Sequence, residues 1–488
     1  MTAARYADRL VNLVLELRKL SSETEWVEFK VNNSKPDEIG EYISALANSA
    51  VLSGKAFGYL VWGIENDTHE IVGTTFSPKM KGAGNEQLES WLLRLLAPRI
   101  SFRFYELKID EQRIVLLQIG KAFSHPVRFK GNPFIRVGSY KKKLAEFPEK
   151  ERALWRAFDQ TSFEDVVAED DVTADEVLRL LDYPAYFELI GRSLPETRDG
   201  VLHDLQGDNL IQVDTSGHWC ITNLGAILFA RRLDEFESIR RKAARVILYD
   251  GSSRVTTIRE QAGIRGYASG FEGLIDVISG LLPTNEVIGQ ALRKKVPMYP
   301  ELAVRELVVN ALIHQDFTVT GAGPMFEIFA DRMEVSNPGV PLMATERFLD
   351  TPPKSRNEEL ASLMRRMGIC EERGSGVDKV VSLTEMYQLP APMFEVTGET
   401  TRAVLFAHRP LSRMEREDRI RACYLHACLR YVNRDHMTNT TLRERFGIDA
   451  KNSATASRLI KEAVESGMIK PYDERASRKF MKYVPFWA

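Results

Sequence analysis

The sequence predicts a multidomain α/β (α+β) protein, and three observations carry that prediction. At 488 residues the chain is long enough for roughly three domains of about 150 residues each. Segments with helical spacing of apolar residues alternate with short β-type runs along its length. With 44% hydrophobic and 27% charged residues, it has the balance of a globular protein, not of a disordered, collagen-like or disulfide-stapled one. Lys and Arg number 66 against 68 Asp and Glu. That near-neutrality excludes a uniformly basic nucleic-acid coat and leaves room for a local basic face. Four Cys argue against a disulfide framework. No apolar run reaches the roughly 18 residues of a membrane span, and the opening residues have no secretory pattern. A cytoplasmic protein without a membrane partner is therefore expected.

The elements follow in order. Residues 4–20 set Leu10, Leu13, Leu17 and Leu20 at three- and four-residue spacing, an amphipathic helix. In WVEFKV (26–31) Val27, Phe29 and Val31 alternate as one face of a strand does. A helix over 37–50, a buried strand at 57–66, a partner strand at 70–76, a helix over 86–100 and strands at 102–110, 113–120 and 132–139 complete a mixed-sheet domain, 1–145. The charged stretch 145–172 marks a boundary, and 146–295 reads as a largely helical connector with a strand at 244–251 and no chemistry by spacing. Residues 296–410 run helix (299–317), strand–turn–strand (324–339), helix stopped by Gly368 (356–368), Gly-rich turn opening a helix (373–387) and closing strand (402–409), the order of an α/β sandwich. The tail, 411–488, holds 16 basic and 10 acidic residues. Its three helical segments (419–432, 438–447, 452–469) and β-type end match the frame of a winged helix-turn-helix.

The sharpest chemical pattern is RELVVNALIH (305–314). Glu306 and Asn310 stand one turn apart on one helix face. A carboxylate and an amide projecting together into a pocket can orient a water and hold magnesium through oxygen. His314, a turn further on, fits a pocket wall. SNPGVP (336–341) ends a strand in a tight turn at Gly339. RGSGVDKV (373–380) sets Gly374, Ser375 and Gly376 before a helix, where backbone N–H groups can cradle phosphate. An isolated Glu-x-x-x-Asn is more often a solvated helix face; the three segments in this order are more specific.

A second pattern is ETEWVEFK (23–30), where Glu23 and Glu28 flank a strand entry with Lys30 beyond. Carboxylates beside a lysine can bind a divalent cation and a scissile phosphate, although a charged edge strand has the same spacing. Arg128, Lys130, Lys141, Lys142 and Lys143 interleave with Phe129, Phe134 and Tyr140, a patch able to track a phosphate backbone and stack bases. In the tail, Arg458 and Lys461 fall on the expected recognition helix with Ser453, Thr455 and Ser457. Arg475, Arg478, Lys479 and Lys482 fall on the wing. Cys423, His426 and Cys428 match no zinc spacing and read as helix core.

On YPELAVRELVVNALIHQDF, DRMEVSNPGVPL, SRNEELA and ICEERGSGVDKVV, residues 299–390 resemble the divergent GHKL-type ATP-binding module of RecG-like ATP-binding regulators. The resemblance implies ATP and magnesium as cofactors. Glu306 would activate water, Asn310 would hold the metal, and Gly374, Ser375 and Gly376 would close on the phosphates. GHKL enzymes carry an Asp that receives the adenine amino group; here Ser336 or Asn337 stands in its place, beside Gly339. On ETEWVEFK, DEIGEYISALANSA, YLVWGIEN, EIVG and NPFIRVGS, residues 1–145 resemble the Schlafen AlbA-2 domain. Some proteins with that domain cut RNA using two Glu and an Asp. The resemblance implies Glu23 and Glu28, with Lys30 alongside, and puts Asn66 at the Asp position between Glu65 and Asp67. Many AlbA-2 proteins are instead DNA binders.

The expected function is a nucleotide-responsive nucleic-acid-binding protein, an ATP-binding, DNA-binding transcriptional regulator, with DNA favoured over RNA. A homodimer is compatible with paired half-sites. Two alternatives stay open: a metal-dependent Schlafen-like ribonuclease, and a scaffold with an inactive nucleotide site. Enzymatic activity, if present, would be that nuclease or a weak ATPase acting through Glu306.

Overall fold

The computed structural model describes residues 3–20, 24–82, 86–98, 100–123, 125–160, 162–214, 218–288, 293–352, 354–370, 376–477 and 480–488. The chain is mixed α/β and divides into two compact units, 1–167 with 213–218, and 168–212 with 219–488. The expected divisions at 295/296 and 410/411 both fall inside the second unit. Glu23, Gly374, Ser375, Arg478 and Lys479 lie outside the described residues.

The first unit runs α1 (Ala3–Leu17), β1 (Val27–Lys30), α2 (Pro36–Leu52), β2 (Phe57–Trp62), α3 (Leu88–Leu95), β3 (Leu96–Ala97), β4 (Phe102–Ile109), β5 (Gln112–Gly120), β6 (Arg128–Phe129), β7 (Asn132–Val137), β8 (Tyr140–Lys143) and α4 (Pro148–Gln160). One sheet is ordered β1-β2-β5-β4 and a second β3-β6-β7-β8. The strands β2 and β5 read as near-continuous apolar runs because both faces of the first sheet are covered. Leu60, Trp62, Val115 and Leu117 face the α2 side. Tyr59, Val61, Ile114 and Leu116 face α1. Two expectations change here. The segment 70–76 is not a strand; it makes a single bridge from Ile71 to Ile64. The stretch 145–172 is not simply a boundary, since α4 delivers Leu154 and Phe158 into the first unit's core.

Helix α2 is buried along most of its length, which small residues permit. A Cβ on Gly40 would lie 2.2 Å from the Phe129 ring. Its polar side chains act as an edge for the second sheet. Ser44 Oγ donates to the Val127 carbonyl at 2.6 Å and accepts from Phe134 N at 2.9 Å. Asn48 bonds Val127 at both N (2.8 Å) and carbonyl (3.0 Å), and Ser49 Oγ accepts from Arg136 N at 2.9 Å. Buried polar groups on a helix are tolerated when each is satisfied in this way.

The second unit begins with β9 (Val167–Val172), α5 (Ala174–Leu180), α6 (Tyr183–Leu189), α7 (Arg198–Gly207), β10 (Ile211–Val213), β11 (Trp219–Thr222) and α8 (Asn223–Phe229). There follow β12 (Arg245–Tyr249), β13 (Thr257–Ala262), α9 (Phe271–Leu281), β14 (Thr284–Ile288), β15 (Arg293–Pro297), α10 (Glu301–Ile313), β16 (Met325–Ile328), β17 (Arg332–Pro338), α11 (Glu358–Arg366), α12 (Gly376–Met386), β18 (Met393–Thr397) and β19 (Thr400–Phe406). The main sheet is ordered β13-β12-β16-β17-β19-β18. Among the described residues its one parallel strand pair joins β12 to β16, Arg245 opposite Met325. The expected connector therefore supplies two strands of the sandwich, which the boundary at 295 did not anticipate.

The tail contributes α13 (Arg416–Val432), α14 (Asn439–Phe446), α15 (Ser453–Glu465) and an antiparallel ribbon of β20 (Ile469–Pro471) and β21 (Tyr483–Pro485). Gly447, left-handed at φ 59°, ends α14, as its position after the apolar run predicts. The core of the tail is shared with the sandwich. Cys423, Leu425, Leu442, Leu459 and Ile460 cluster with Leu349, Val381 and Ala391 from the preceding sandwich.

Candidate functional site

Nearly every side of α10 is apolar and buried; Ala303, Leu307, Val308, Ala311 and Leu312 are all covered. Glu306 and Asn310 are its polar openings, and they give onto a cleft of about 470 Å³. That volume lies in the usual range for small-ligand sites. The floor comes from the sheet. Val335 and Asn337 on β17 stand opposite Ala403 and Thr401 on β19, with Phe394 of β18 beside Ala403. Strand alternation settles the choice between adjacent residues: Asn337 lines the cleft, while Ser336 is absent from its lining and pairs across the strands with Met325 and Arg402. The Asn337 Nδ2 donates to the Pro338 carbonyl at 3.2 Å. Gly339 takes φ 105°, and a Cβ there would meet Asp316 at 2.7 Å and Arg356 Nη1 at 2.8 Å. Only glycine suits that conformation and that gap.

At the other end, α12 starts at Gly376 directly against α10. A Cβ on Gly376 would lie 2.7 Å from Glu306 Oε2 and 3.5 Å from Asn310 Nδ2. The structure thus brings Glu306, Asn310, Asn337 and Gly376 around one cavity. Asn357, which spacing did not single out, fixes the far end of α10. Its buried Nδ2 donates to the carbonyls of Ile313 (2.7 Å) and Gln315 (2.8 Å). Cations missed by motif reading also line the cleft: Lys354, Arg356 and Arg365. Surrounding protein and the Arg356 charge lower the His314 pKa, so the ring on the cleft wall favours its neutral form. Burial pushes the Cys370 thiol up to about 11.

In the first unit, Glu28 is buried at 4% exposure, and both of its oxygens are engaged. Lys30 pairs with one and the buried Arg136 with the other. Desolvation lowers the Lys30 pKa and pushes Arg136 down to about 10. Glu25 is held by Lys150 at 2.7 Å and accepts from Gly138 N at 3.2 Å. Asn66 and Asp67 sit in an exposed turn. Among the described residues, no group of three or more His, Cys, Asp or Glu could hold a metal.

The basic hairpin is less uniform than its spacing implied. Lys130 pairs with Asp37 at 2.5 Å, and Lys141 pairs with Glu41 at 2.6 Å while lying 4.2 Å over the Tyr42 ring. Arg128, Lys142 and Lys143 are exposed. Phe129 and Phe134 are core residues at 1% and 8% exposure, so the expected base stacking on them does not arise. Tyr140, 69% exposed, is the aromatic surface that remains.

In the tail, Ser453, Ser457, Arg458 and Lys461 line the outer face of α15. Asn439 bonds the Ser453 carbonyl and Ser457 Oγ, both at 3.0 Å, and so sets α14 against α15. Tyr472 and Phe480 are exposed on the ribbon. Cys423 and Cys428 are buried, their thiols pushed up to about 12, and His426 Nδ1 meets Glu385 at 3.0 Å.

Fold and cleft together define a two-unit α+β protein with a small-molecule cavity between a polar helix face and a largely antiparallel sheet. Comparisons with known proteins find a family match within each unit. Residues 23–145 match the Schlafen AlbA_2 family. Residues 321–405 match the family HATPase_c_4, "Putative ATP-dependent DNA helicase recG C-terminal". The second match begins after α10, so Glu306 and Asn310 lie outside it. No curated protein matches the chain. A crystal structure of the DIP2311 protein from Corynebacterium diphtheriae is similar over 98% of this chain and 97% of that one, with 19% identity and a TM-score of 0.42. The two families suggest a nucleic-acid-related protein with an ATPase-type domain. No helix among the described residues is long and apolar enough to cross a membrane.

Proposed function

We propose that the chain is a nucleotide-responsive nucleic-acid-binding regulator that holds ATP in the α10–α12 cleft and DNA on its tail. The observation that carries this reading is the convergence of Glu306, Asn310, Asn337 and Gly376 on one cavity. A purine fits the apolar floor of Val335, Ala403, Phe348 and Phe394. With Nδ2 turned to the Pro338 carbonyl, the Asn337 oxygen is left to accept from the adenine amino group. Phosphates fit the end where backbone N–H groups of α12 begin, in a cleft to which Lys354 and Arg365 lend positive charge.

Magnesium, when bound, neutralises phosphate charge, and it is commonly held by one or two protein oxygens plus phosphates and waters. Asn310 Oδ1 suits that donor set. Glu306, at van der Waals range of Gly376, is placed to orient a water toward the phosphate end.

DNA contact is assigned to Arg458 and Lys461 on α15 and to the ribbon, the parts a winged helix offers to a groove and to phosphates. Arg128, Lys142, Lys143 and Tyr140 provide a second nucleic-acid surface on the first unit. Helix α12 supplies the coupling. Its first residue faces Glu306, and its last turn holds Glu385, which meets His426 at 3.0 Å and Arg445 at 3.4 Å in the tail. Phe348 lines the cleft while the adjacent Leu349 belongs to the tail's core. Closing the cleft therefore shifts elements on which α13–α15 rest.

The test is calorimetric titration of the full chain with ATP and magnesium, beside Asn310→Ala. Binding that the substitution abolishes supports the reading. No binding by wild type sinks it.

A further inference from the structure

We infer that Arg365 reads the terminal phosphate of a nucleoside triphosphate, so that the cleft distinguishes triphosphate from diphosphate; the assignment rests on the nucleotide reading above. The cations of the cleft are not equivalent. Arg356 is occupied, with Nη2 donating to the Val340 carbonyl at 3.0 Å and Nε lying 3.8 Å from Asp316. Arg365 is not. Among the described residues its recorded hydrogen bond runs from Nε to the Ala361 carbonyl at 3.2 Å, one turn back on its own helix. Among the described residues no carboxylate is ion-paired with it, and it lines the cleft.

Its place in the cleft is specific. Cys370, which also lines the cavity, brings its Sγ to 3.8 Å from the same Ala361 carbonyl that Arg365 Nε reaches at 3.2 Å. Glu306 in turn abuts Gly376 at the start of α12. Arg365 thus stands beside Cys370 on the wall of the cavity that Glu306 and Gly376 also line. A guanidinium with free terminal N–H groups offers the planar fork that binds phosphate oxygens in pairs. The neighbouring residue does the anchoring. Arg366 Nη1 donates to Asp208 at 3.0 Å, and the same carboxylate accepts from Tyr186 Oη at 2.6 Å. Helix α11 is held against the α6–α7 region by Arg366 and not by Arg365.

The test compares ATP with ADP, each with magnesium, by calorimetry on the full chain. Wild type should favour ATP. Arg365→Ala, a helix-compatible change at an exposed side chain, should weaken ATP binding about 10- to 100-fold and leave ADP within about twofold. Arg365→Lys, which keeps the charge and loses the fork, should recover part of that loss. Equal weakening of both nucleotides, or unchanged ATP affinity, overturns the assignment while sparing the nucleotide site. Wild type that binds neither nucleotide overturns both.

Discussion

Replacing Arg136 by Met would expose what Glu28 is for. Both residues are nearly dry, at 3% and 4% exposure. One Glu28 oxygen belongs to Arg136 and the other to Lys30, which is itself partly buried. Removing one partner of a buried pair leaves an uncompensated charge and costs about 3–5 kcal/mol. Lys30 stays to offset part of that, so the expected loss for Arg136→Met is about 3 kcal/mol. Adding Glu28→Gln removes the stranded carboxylate, and the double variant should regain about 1–2 kcal/mol over the sum of the singles. Urea unfolding of the full chain provides the assay, followed by tryptophan emission, because Trp26, Trp62 and Trp91 all lie in the first unit's cores. A loss below about 1 kcal/mol with no coupling would refute the argument that Glu28 is spent on a structural pair. If Glu28→Gln then also removed a magnesium- or manganese-dependent RNA cleavage without changing stability, Glu28 would belong to a nuclease centre.

Gly376→Ala should hardly change the melting temperature, since alanine gains about 0.5–1 kcal/mol of helix propensity. Its Cβ, however, lies 2.7 Å from Glu306 Oε2, where ordinary contact begins at 3.4 Å, so that carboxylate must move. Weakened ATP handling at unchanged stability is expected; lower stability with intact ATP binding would contradict it. Asp378, in the first turn of α12, has its carboxyl pushed up to about 6 by burial. Its protonated form is favoured by the fold, so that stabilisation is complete below the unfolded value near 4 and is lost as pH rises through about 6. Asp378→Asn should therefore stabilise by about 1 kcal/mol at pH 7.5, after discounting for partial exposure and for the favourable helix N-terminus. It should give nothing at pH 4, and equal gains at both pH values would show another cause. Arg458→Ala with Lys461→Ala should cut the salt slope of DNA binding by about 2 and leave ATP affinity unchanged. An unaltered slope would remove α15 from the interface.

What was legible in the sequence was local. Glu306 and Asn310 announced themselves because four-residue spacing is a property of one helix, and Gly368 and Gly447 because a left-handed stop is set within a turn. Ser336 and Asn337 could not be separated, since the face each takes depends on β17 being registered against β16 and β19. The strand at 245–249 was visible as a strand, but its parallel partner lies some eighty residues on, and nothing in either segment names the other. Phe129 and Phe134 looked available among lysines because the helix that buries them, α2, precedes them by most of a domain. Arg365 escaped notice because an arginine on a charged helix carries no pattern; its place on the cleft wall is a three-dimensional fact.

The shared core of the tail has a consequence for the order in which the chain is made. Leu349, Val381 and Ala391 leave the ribosome well before the partners that cover them, which extend to Ile469. At bacterial-type elongation rates of about 5–20 residues per second, the 78 residues from 391 to 469 take roughly 4–16 s to synthesise. During that interval the sandwich has its cleft residues but an open apolar flank. A transcript broken near codon 410 would yield a product unable to close that flank, and a stop there should send the chain to aggregation. For the same reason, cutting the tail away uncovers Leu349, Val381 and Ala391, and its contribution is better dissected by point substitution at Arg458 and Lys461 than by truncation.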